Sequence, residues 1–182
     1  NEEKNLKELF KSISLLFQNF PAVQIEILIV DNGSTDNSNN YIKNSKLYLE
    51  KKIKLIEIKN NIGYGNGIYE GIMASSKDFI AWCHADLQTD LHDVIKIFLK
   101  SKQKFLSENC ILKGKRTNRN LIDYFFTIGM SFLTFCLFQT KLNDINAQPK
   151  IFKRNFVDKL KDHPKDFSFD LYFLLVAKKQ NL

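Results

Sequence analysis

The 182 residues include 44% hydrophobic side chains and 16 phenylalanines, so the chain can bury a core and is too apolar to be disordered. Its net charge of +7 comes from residues 96–119, where eight basic side chains accompany one acid. One basic stretch in an otherwise neutral chain favours an anionic small ligand over a nucleic acid as the partner. Three cysteines without CxxC spacing exclude a disulfide framework and a cysteine zinc site.

The predicted elements alternate between helices and strands. Apolar residues at helical spacing predict an amphipathic helix over 2–18, and the apolar run EILIV predicts a strand covered on both faces over 26–30. The next predicted elements are a helix from Asp36 or Ser38 to about Leu49, a strand over 53–58, a helix over 60–75, a strand over 78–83, a helix over 91–103 and a strand over 109–113. This order predicts a single three-layer α/β domain over residues 1–182, with a mainly parallel central sheet flanked by helices.

Residues 121–138, LIDYFFTIGMSFLTFCLF, approach the length of a membrane span. Asp123 and the scattered hydroxyl residues favour a buried or interfacial helix instead. The first residues have neither the basic region nor the apolar run of a signal peptide. We therefore expect a cytoplasmic location, with peripheral contact at the cytoplasmic face of a membrane as the alternative.

Three polar loops follow predicted strands, at 31–36, 84–90 and 113–119. In open α/β sheets ligands bind beyond the carboxyl ends of the strands, so these loops predict one shared site. The third loop carries four cations, whose charges suit phosphate oxygens: Lys113, Lys115, Arg116 and Arg119.

The loop at 84–90 presents side chains that could bind a metal. If the chain stays extended there, His84, Asp86 and Gln88 project from the same side. A cation that bridges to phosphates is held by one or two carboxylates with water, and an imidazole suits transition metals better than magnesium. In the alternative interpretation His84 caps the strand and Asp86 opens the next helix.

The segment KNNIGYGNGIYEG at 59–71 invites comparison with a dinucleotide-binding turn, because it follows a strand and opens a helix. The third glycine of G-x-G-x-x-G would fall on Ile68, so an NAD-dependent oxidoreductase of Rossmann type is only an alternative. Gly63 and Gly67 can instead permit close approach of helix and strand.

Taken together, these stretches resemble the family-2 inverting glycosyltransferases of GT-A fold, in the branch that includes dolichol- and polyprenyl-phosphate sugar transferases. EILIVDNGSTDNS is similar to the family's V-D-D-G-S-x-D turn, and HADLQTD to its D-A-D-L-Q-x-P metal loop. The other similar stretches are NIGYGNGIYEGIMAS to N-x-G-x-G-x-A-x-x-x-G, KGKR to G-x-R, and LNDINAQPKIFKR to D-x-x-x-x-x-K-x-F-x-R. NEEKNLKELFKSI looks like the segment after the family's first strand, so the resemblance implies that this strand and a C-terminal part are missing.

The resemblance also implies roles for particular residues. Glu2, Asp31 and Asn32 would lie around the nucleotide base and ribose. Asp86 and Gln88, with His84 at the family's first aspartate, would hold a divalent cation on the diphosphate, with Mn²⁺ preferred and Mg²⁺ as the alternative. The remaining donor-binding or catalytic positions would be Gly63, Lys113, Arg116, Asp144, Lys150 and Arg154.

Two departures from the family pattern limit these expectations. Asn32 carries no charge where the family often has a second aspartate, and His84 leaves one carboxylate at the metal. The implied activity is inverting transfer of a sugar from a nucleotide-diphosphate sugar to a polyprenyl phosphate or a glycan. Asp144 would be the base for a sugar hydroxyl acceptor, and a non-catalytic nucleotide-sugar-binding homologue is the other alternative.

Overall fold

The computed structural model describes residues 1–116 and 121–182, with side chains described outside 121–124. Helices and strands alternate as predicted over most of the chain. The elements are α1 (Glu3–Asn19), β1 (Ile27–Asn32), α2 (Ser38–Lys43), α3 (Lys46–Leu49), β2 (Ile53–Ile58), α4 (Tyr64–Ala74), β3 (Phe79–Trp82), α5 (Leu91–Ser107), β4 (Leu112–Lys113), α6 (Leu121–Phe138), β5 (Lys150–Lys153), a 3₁₀ helix (Arg154–Lys159) and α7 (Phe169–Lys179).

The strands form two sheets. β1 and β2 pair in parallel, with Ile27 opposite Ile53. In the second sheet the order is β3-β5-β4, and β5 runs antiparallel to both neighbours. Lys150, the first residue of β5, therefore lies opposite both Trp82 and Lys113, the last residues of β3 and β4. The sequence did not predict β5, which makes the second sheet antiparallel at each pairing.

Each sheet has its own apolar core. The buried face of α1 packs with α2, α3 and β2 through Leu6, Leu9, Ile13, Ile42, Leu47 and Ile53. Around β5 and α7, the rings of Phe152, Phe169 and Phe173 are fully buried. Burial of one such ring stabilises the fold by roughly 1.5–3 kcal/mol. These two cores fix the strands whose carboxyl ends carry the polar loops.

Glycines let α4 lie directly on β1. A Cβ atom at Gly71 would lie 2.8 Å from Cγ2 of Val30, and one at Gly67 would lie 3.1 Å from Cγ of Asn32. The close approach predicted for Gly67 is therefore present. Gly63 instead meets the loop before α7, where a Cβ would lie 2.1 Å from the carbonyl oxygen of Lys165, and its φ of +130° favours glycine.

An apolar groove of about 590 Å³ lies between β1 and β3. Ile27–Val30 and Phe79–Trp82 line it, and Leu9, Ile13 and Leu16 of α1 contribute as well. Because Ile27–Val30 border this groove, they are only half-buried. The predicted coverage of β1 on both faces is therefore incomplete.

Two predicted segments differ locally. The helix predicted up to about Leu49 is divided into α2 and α3, because Ser45 caps a new helix by accepting a hydrogen bond from the backbone N–H of Tyr48 (3.2 Å). Residues 85–89 form a bend, with Leu87 at φ 64°, so the loop is not the extended segment that would align three side chains on one side.

Helix α6 turns its apolar residues outward. Thr134 is buried, and Thr127 and Ser131, on the same face, are half-buried. Most of the apolar side chains point away from the protein, including Phe125, Phe126, Ile128, Phe132, Leu133 and Leu137. Among the residues that the structure describes, no helix meets the length and hydropathy of a membrane span.

Candidate active site

The loop after β1 is held by local hydrogen bonds to Asp31. Its carboxylate accepts from the backbone N–H of Ser34 (2.9 Å) and from Nδ2 of Asn39 (3.0 Å). Burial opposes ionisation, but these hydrogen bonds outweigh it and hold the pKa of Asp31 below its ordinary value. Asp31 is therefore a fixed anion at the carboxyl end of β1.

The start of α1 lies against the same loop. The backbone N–H of Glu2 donates to Oγ of Ser38 (3.2 Å), and that of Glu3 donates to Oδ2 of Asp36 (3.2 Å). Oε2 of Glu2 accepts from Nδ2 of Asn5. Glu2 and Asp31, both predicted around the nucleotide, thus lie beside one loop.

Asn32 connects this loop to the start of α4. Its Nδ2 donates to Oδ1 of Asn61 (3.2 Å) and to the carbonyl oxygen of Gly63 (3.1 Å). Its Oδ1 is buried and has no partner among the described residues. Because this oxygen is buried, contact between it and a base or ribose would require the amide to rotate. Donor binding by Gly63 stays a prediction.

The loop after β3 carries the predicted metal ligands. Oδ1 of Asp86 accepts from the backbone N–H of Gln88 (3.0 Å), which orients the carboxylate. His84 is exposed, and its ring stacks on that of Tyr64 with centroids 5.4 Å apart. Asp90, not Asp86, caps α5 through the backbone N–H of His92 (2.8 Å), so the alternative role predicted for Asp86 at the next helix is wrong.

The types of donor in this loop fit a divalent transition metal. One imidazole nitrogen, one carboxylate and one amide oxygen are ligands that Mn²⁺ accepts. Over the side chains of residues 1–116 and 125–182, no three His, Cys, Asp or Glu groups cluster as a metal site. A cation here would therefore need Gln88, water or ligand phosphates to complete its shell.

The basic loop after β4 binds Asp144. The backbone N–H and Nε of Arg116 donate to its two carboxylate oxygens at 2.7 and 2.6 Å. Nζ of Lys113 donates to the backbone carbonyl of Asp144 (3.0 Å). Burial opposes ionisation of Asp144, but the hydrogen bonds and charge of Arg116 outweigh it and hold its pKa below the ordinary value. Arg119 lies outside the described residues.

Lys150 begins β5, the central strand of the second sheet, and is fully buried. Its Nζ donates to Oδ1 of Asp170 on α7 and to the carbonyl oxygen of Ala147 (3.3 Å), and it lies 5.3 Å from the centre of the Trp82 ring. Burial lowers the pKa of Lys150, while the Asp170 carboxylate opposes that shift. Lys150 is thus a paired cation between the ends of β3 and β4.

Arg154 lies away from this cluster. Its Nε donates to the carbonyl oxygen of Lys77 (2.9 Å) and its Nη2 to Oγ of Ser75 (2.8 Å). These contacts are at the amino end of β3, about 13 Å along β5 from Lys150, at roughly 3.3 Å per residue. The structure therefore does not bring Arg154 to the carboxyl ends of the strands.

Tyr64 and Asp170 are residues that sequence reasoning missed. The hydroxyl of Tyr64 donates to Oδ2 of Asp170 (2.9 Å) and lies 3.3 Å from Nε2 of His84. Nε2 of Gln148 contacts both, at 3.3 Å to Tyr64 Oη and 3.4 Å to Asp170 Oδ1. An acid in the apolar run FSFDLYFLLVA was the signal that could have identified Asp170.

The geometry thus connects the three loops. Asn32 contacts the turn before Tyr64, Tyr64 contacts His84, and Asp170 contacts Lys150 between β3 and β4. The loops carry fixed carboxylates, an imidazole and three cations along one edge of the strands. Such a set can hold a metal-bound diphosphate and a second anionic group.

Comparison with known proteins identifies the family. The model of glycosyl transferase family 2 matches residues 1–160. Dolichyl-phosphate beta-glucosyltransferase of Homo sapiens is 28% identical over 195 aligned positions, which cover 98% of this chain and 60% of that protein. Dodecaprenyl-phosphate galacturonate synthase of Rhizobium johnstonii is 25% identical and covers 88% of this chain and 47% of its own length. The chain therefore spans about half the length of these relatives.

Solved structures share the fold. Glucosyl-3-phosphoglycerate synthase of Mycobacterium tuberculosis, in complex with Mn²⁺, UDP-glucose and phosphoglyceric acid, has a TM-score of 0.69 at 16% identity, covering 99% of this chain and 62% of that one. Residues 1–349 of TarS from S. aureus give a TM-score of 0.60 at 18% identity, covering 97% of this chain and 52% of that one. The predicted GT-A fold is confirmed, and nothing favours the oxidoreductase alternative. The chain belongs to glycosyltransferase family 2.

Proposed function

We propose that this chain forms part of a transferase that moves a sugar from a nucleotide-diphosphate sugar to a polyprenyl phosphate, with inversion at the anomeric carbon. The observation that carries the proposal is the basic cluster of Lys113, Arg116 and Lys150 at the ends of β3 and β4. Lys113 and Arg116 suit the phosphate oxygens of a donor diphosphate and of an anionic acceptor, whereas Lys150 is fully buried and paired with Asp170. The named activities of the polyprenyl-phosphate relatives support the same acceptor class.

The hydrogen bonds from Arg116 to Asp144 favour a phosphate acceptor over a sugar hydroxyl. Arg116 contacts both of its carboxylate oxygens and keeps its pKa low, so Asp144 is a weak general base. A phosphate acceptor is already an anion at neutral pH and needs no base. In the proposed step a phosphate oxygen attacks the anomeric carbon from one face while the nucleoside diphosphate leaves from the other.

The residues of the chain would have distinct parts in this step. Glu2 and Asp31 would position the nucleoside, and Arg116 would stabilise the negative charge that develops on the leaving diphosphate. His84, Asp86 and Gln88 would hold a divalent cation, which supplies further charge stabilisation to that leaving group. Lys150, paired with Asp170, would act in positioning because it is fully buried.

Calorimetric titration of UDP and of GDP, each with MnCl₂, with MgCl₂ and with EDTA, tests the donor site. We expect one nucleotide to bind only with the cation, and Asp86→Ala to abolish that binding. Asp93→Ala, an exposed acid on the first turn of α5, is the matched control and should bind as the wild type does.

Other outcomes would contradict particular parts of the proposal. Binding that survives EDTA would exclude a required cation. Binding of NAD without either nucleotide diphosphate would exclude a transferase donor site. Binding of a nucleotide sugar without turnover of undecaprenyl phosphate would indicate a non-catalytic homologue.

The outward apolar face of α6 supports contact with the lipid part of the acceptor or with a membrane surface. Phe125, Phe126 and Phe132 are each at least 67% exposed, whereas the hydroxyl of Thr134 faces inward. The transfer of rings exposed in this way from water into an apolar phase lowers the free energy, so it favours binding to such a phase. The side chain of Asp123, at the start of α6, lies outside the described side chains.

Flotation with anionic vesicles tests this contact. We expect the triple variant Phe125→Ser, Phe126→Ser, Phe132→Ser to bind vesicles more weakly than the wild type, by about tenfold at least. The control triple Leu49→Ser, Ile62→Ser, Leu106→Ser removes exposed apolar side chains elsewhere and should leave vesicle binding unchanged. Equal losses in both triples, or no vesicle binding by the wild type, would contradict membrane contact through α6.

A further inference from the structure

Three stacked rings connect the candidate metal loop to the loop before α7. The ring of His84 stacks on that of Tyr64, with centroids 5.4 Å apart and planes 14° apart. The ring of Phe167 also stacks on that of Tyr64, with centroids 5.0 Å apart and planes 16° apart. The ring of Phe167 is therefore no further from His84 than these two stacking distances combined.

Phe167 leaves most of its ring in water. At 78% it is the most exposed large apolar side chain among those that the structure describes. Tyr64 covers one face of the ring, so the opposite face is open. Lys165, Asp166 and Ser168, beside it in the chain, are exposed polar residues. A ligand over the open face would thus meet one apolar ring bordered by polar groups.

The position of this ring is fixed by the fold. Before it in the chain, the carbonyl oxygen of Lys165 accepts a hydrogen bond from the backbone N–H of Asn66 on α4 (3.1 Å). After it, Phe169 is fully buried. Because Phe167 lies between two anchored residues and stacks on a third, it would lose little conformational freedom when a ligand covers it.

The ring also lies on the side of the site where the sugar of a donor would point. The nucleoside is predicted at Glu2 and Asp31, beside α1, which packs with α2, α3 and β2. Phe167 precedes α7, which packs with β5 on the other side of the metal loop. A donor with its nucleoside at the end of β1 and its diphosphate at the loop after β3 would therefore direct its sugar towards α7.

We propose that the open face of Phe167 binds the sugar ring of the donor, through the C–H groups on one face of that sugar. This inference rests on the proposed function, which assigns the donor to these loops. Contact with the sugar removes an apolar ring face from water, and the sugar hydroxyls can reach the polar groups beside it. Phe167 is thus a specificity-determining residue for the sugar and makes no contact with the nucleotide.

Calorimetric titration of UDP, UDP-glucose, GDP and GDP-mannose, each with MnCl₂, tests this role. Phe167→Leu keeps an apolar side chain but removes the flat ring. We expect this variant to bind the nucleotide sugar that the wild type binds about fivefold more weakly or worse. Its affinity for the corresponding nucleotide diphosphate should be that of the wild type, because the sugar alone contacts the ring.

Two further variants separate the ring from its surroundings. Phe167→Trp keeps a flat apolar ring and should bind the nucleotide sugar as the wild type does. Leu49→Ala removes an exposed apolar side chain on α3 and is the matched control, so it should bind every ligand as the wild type does. Disturbance of Tyr64 or of the metal loop would instead weaken the nucleotide and the nucleotide sugar alike.

The outcomes distinguish this inference from the proposed function. Equal weakening of both kinds of ligand in Phe167→Leu, or no weakening of either, would overturn the role of Phe167. The donor site would stand in both cases, because the wild type would still bind the nucleotide sugar. If the wild type bound none of the four ligands, the proposed function and this inference would both be wrong.

Discussion

Two carboxylates at the ends of the strands are stabilised in different ways. Asp31, near the end of β1, accepts from the backbone of Ser34 and the amide of Asn39, which are neutral donors close in sequence. Asp170, beneath the ends of β3 and β4, is paired with Lys150, 20 residues away and fully buried. A turn motif can build the first arrangement alone, but the second exists only when β5 and α7 have packed together.

The difference has an energetic consequence. Removal of one neutral donor takes no charge away from Asp31 and leaves its carboxylate with the remaining donor. Removal of one partner of a buried ion pair leaves the other charge desolvated and unpaired, at a cost of about 3–5 kcal/mol. The region around Lys150 should therefore be much more sensitive to substitution than the region around Asp31.

The largest expected effect is that of Lys150→Met. This change keeps the volume of the side chain but leaves Asp170 as a buried carboxylate with only the hydrogen bonds of Tyr64 and Gln148. We expect the free energy of unfolding to fall by about 3–5 kcal/mol, measured by urea denaturation.

The double variant Lys150→Met, Asp170→Leu serves as the control for this prediction. It removes both charges, so it should recover a large part of the lost stability. If the single and double variants were equally unstable, packing and not the unpaired charge would be the cause.

A smaller effect is expected from salt, which should change the pKa of Asp144 more than that of Asp31. The hydrogen-bond donors to Asp31 are neutral, whereas the donor to Asp144 is the charged Arg116. Both pKa values are lowered in the folded chain, so each carboxylate contributes stability that is present above its unfolded pKa of about 3.9 and is lost as pH falls through the folded pKa. Arg116 is a charged and partly exposed partner, so salt should weaken its effect on Asp144. In carboxyl-carbon NMR titrations, 1 M NaCl should raise the pKa of Asp144 more than that of Asp31. Equal changes would show that the charge of Arg116 is not what distinguishes them.

The smallest effect is expected for the exposed pair of Lys43 and Glu57, at 2.7 Å. Both side chains are at least 40% exposed, and such pairs contribute about 0–1 kcal/mol. Lys43→Ala should therefore change the urea midpoint little. A loss comparable with that of Lys150→Met would mean that exposure does not govern the cost of breaking a pair in this fold.

Local patterns predicted the first half of the molecule well. The apolar spacing of α1 places Leu6, Leu9, Ile13 and Leu16 in the core, and the strand predicted over 53–58 has the observed bounds of β2. Turn residues after β1 likewise predicted a polar loop whose carboxylate is held by its neighbours. These features depend on residues close in sequence, so a single chain is enough to read them.

The second half depends on contacts that a single sequence does not express. β5 is four residues long and pairs with β3 and β4 from distant parts of the chain. Lys150 was predicted near the junction only through the family resemblance, and its partner Asp170 was missed because the pair forms between a strand and a helix. Arg154 shares a motif with Lys150, but the length of β5 carries it to the other end of the sheet.

The groove between β1 and β3 also bears on the dynamics of the chain. Within the described residues β1 pairs only with β2, and β3 only with β5, so one edge of each strand borders the groove. Successive residues of a strand direct their backbone groups alternately to its two edges. Amide hydrogen exchange should therefore alternate along Ile27–Asn32, slow where the N–H points to β2 and fast where it points to the groove. Two strands near the middle of the fold would thus exchange like edge strands.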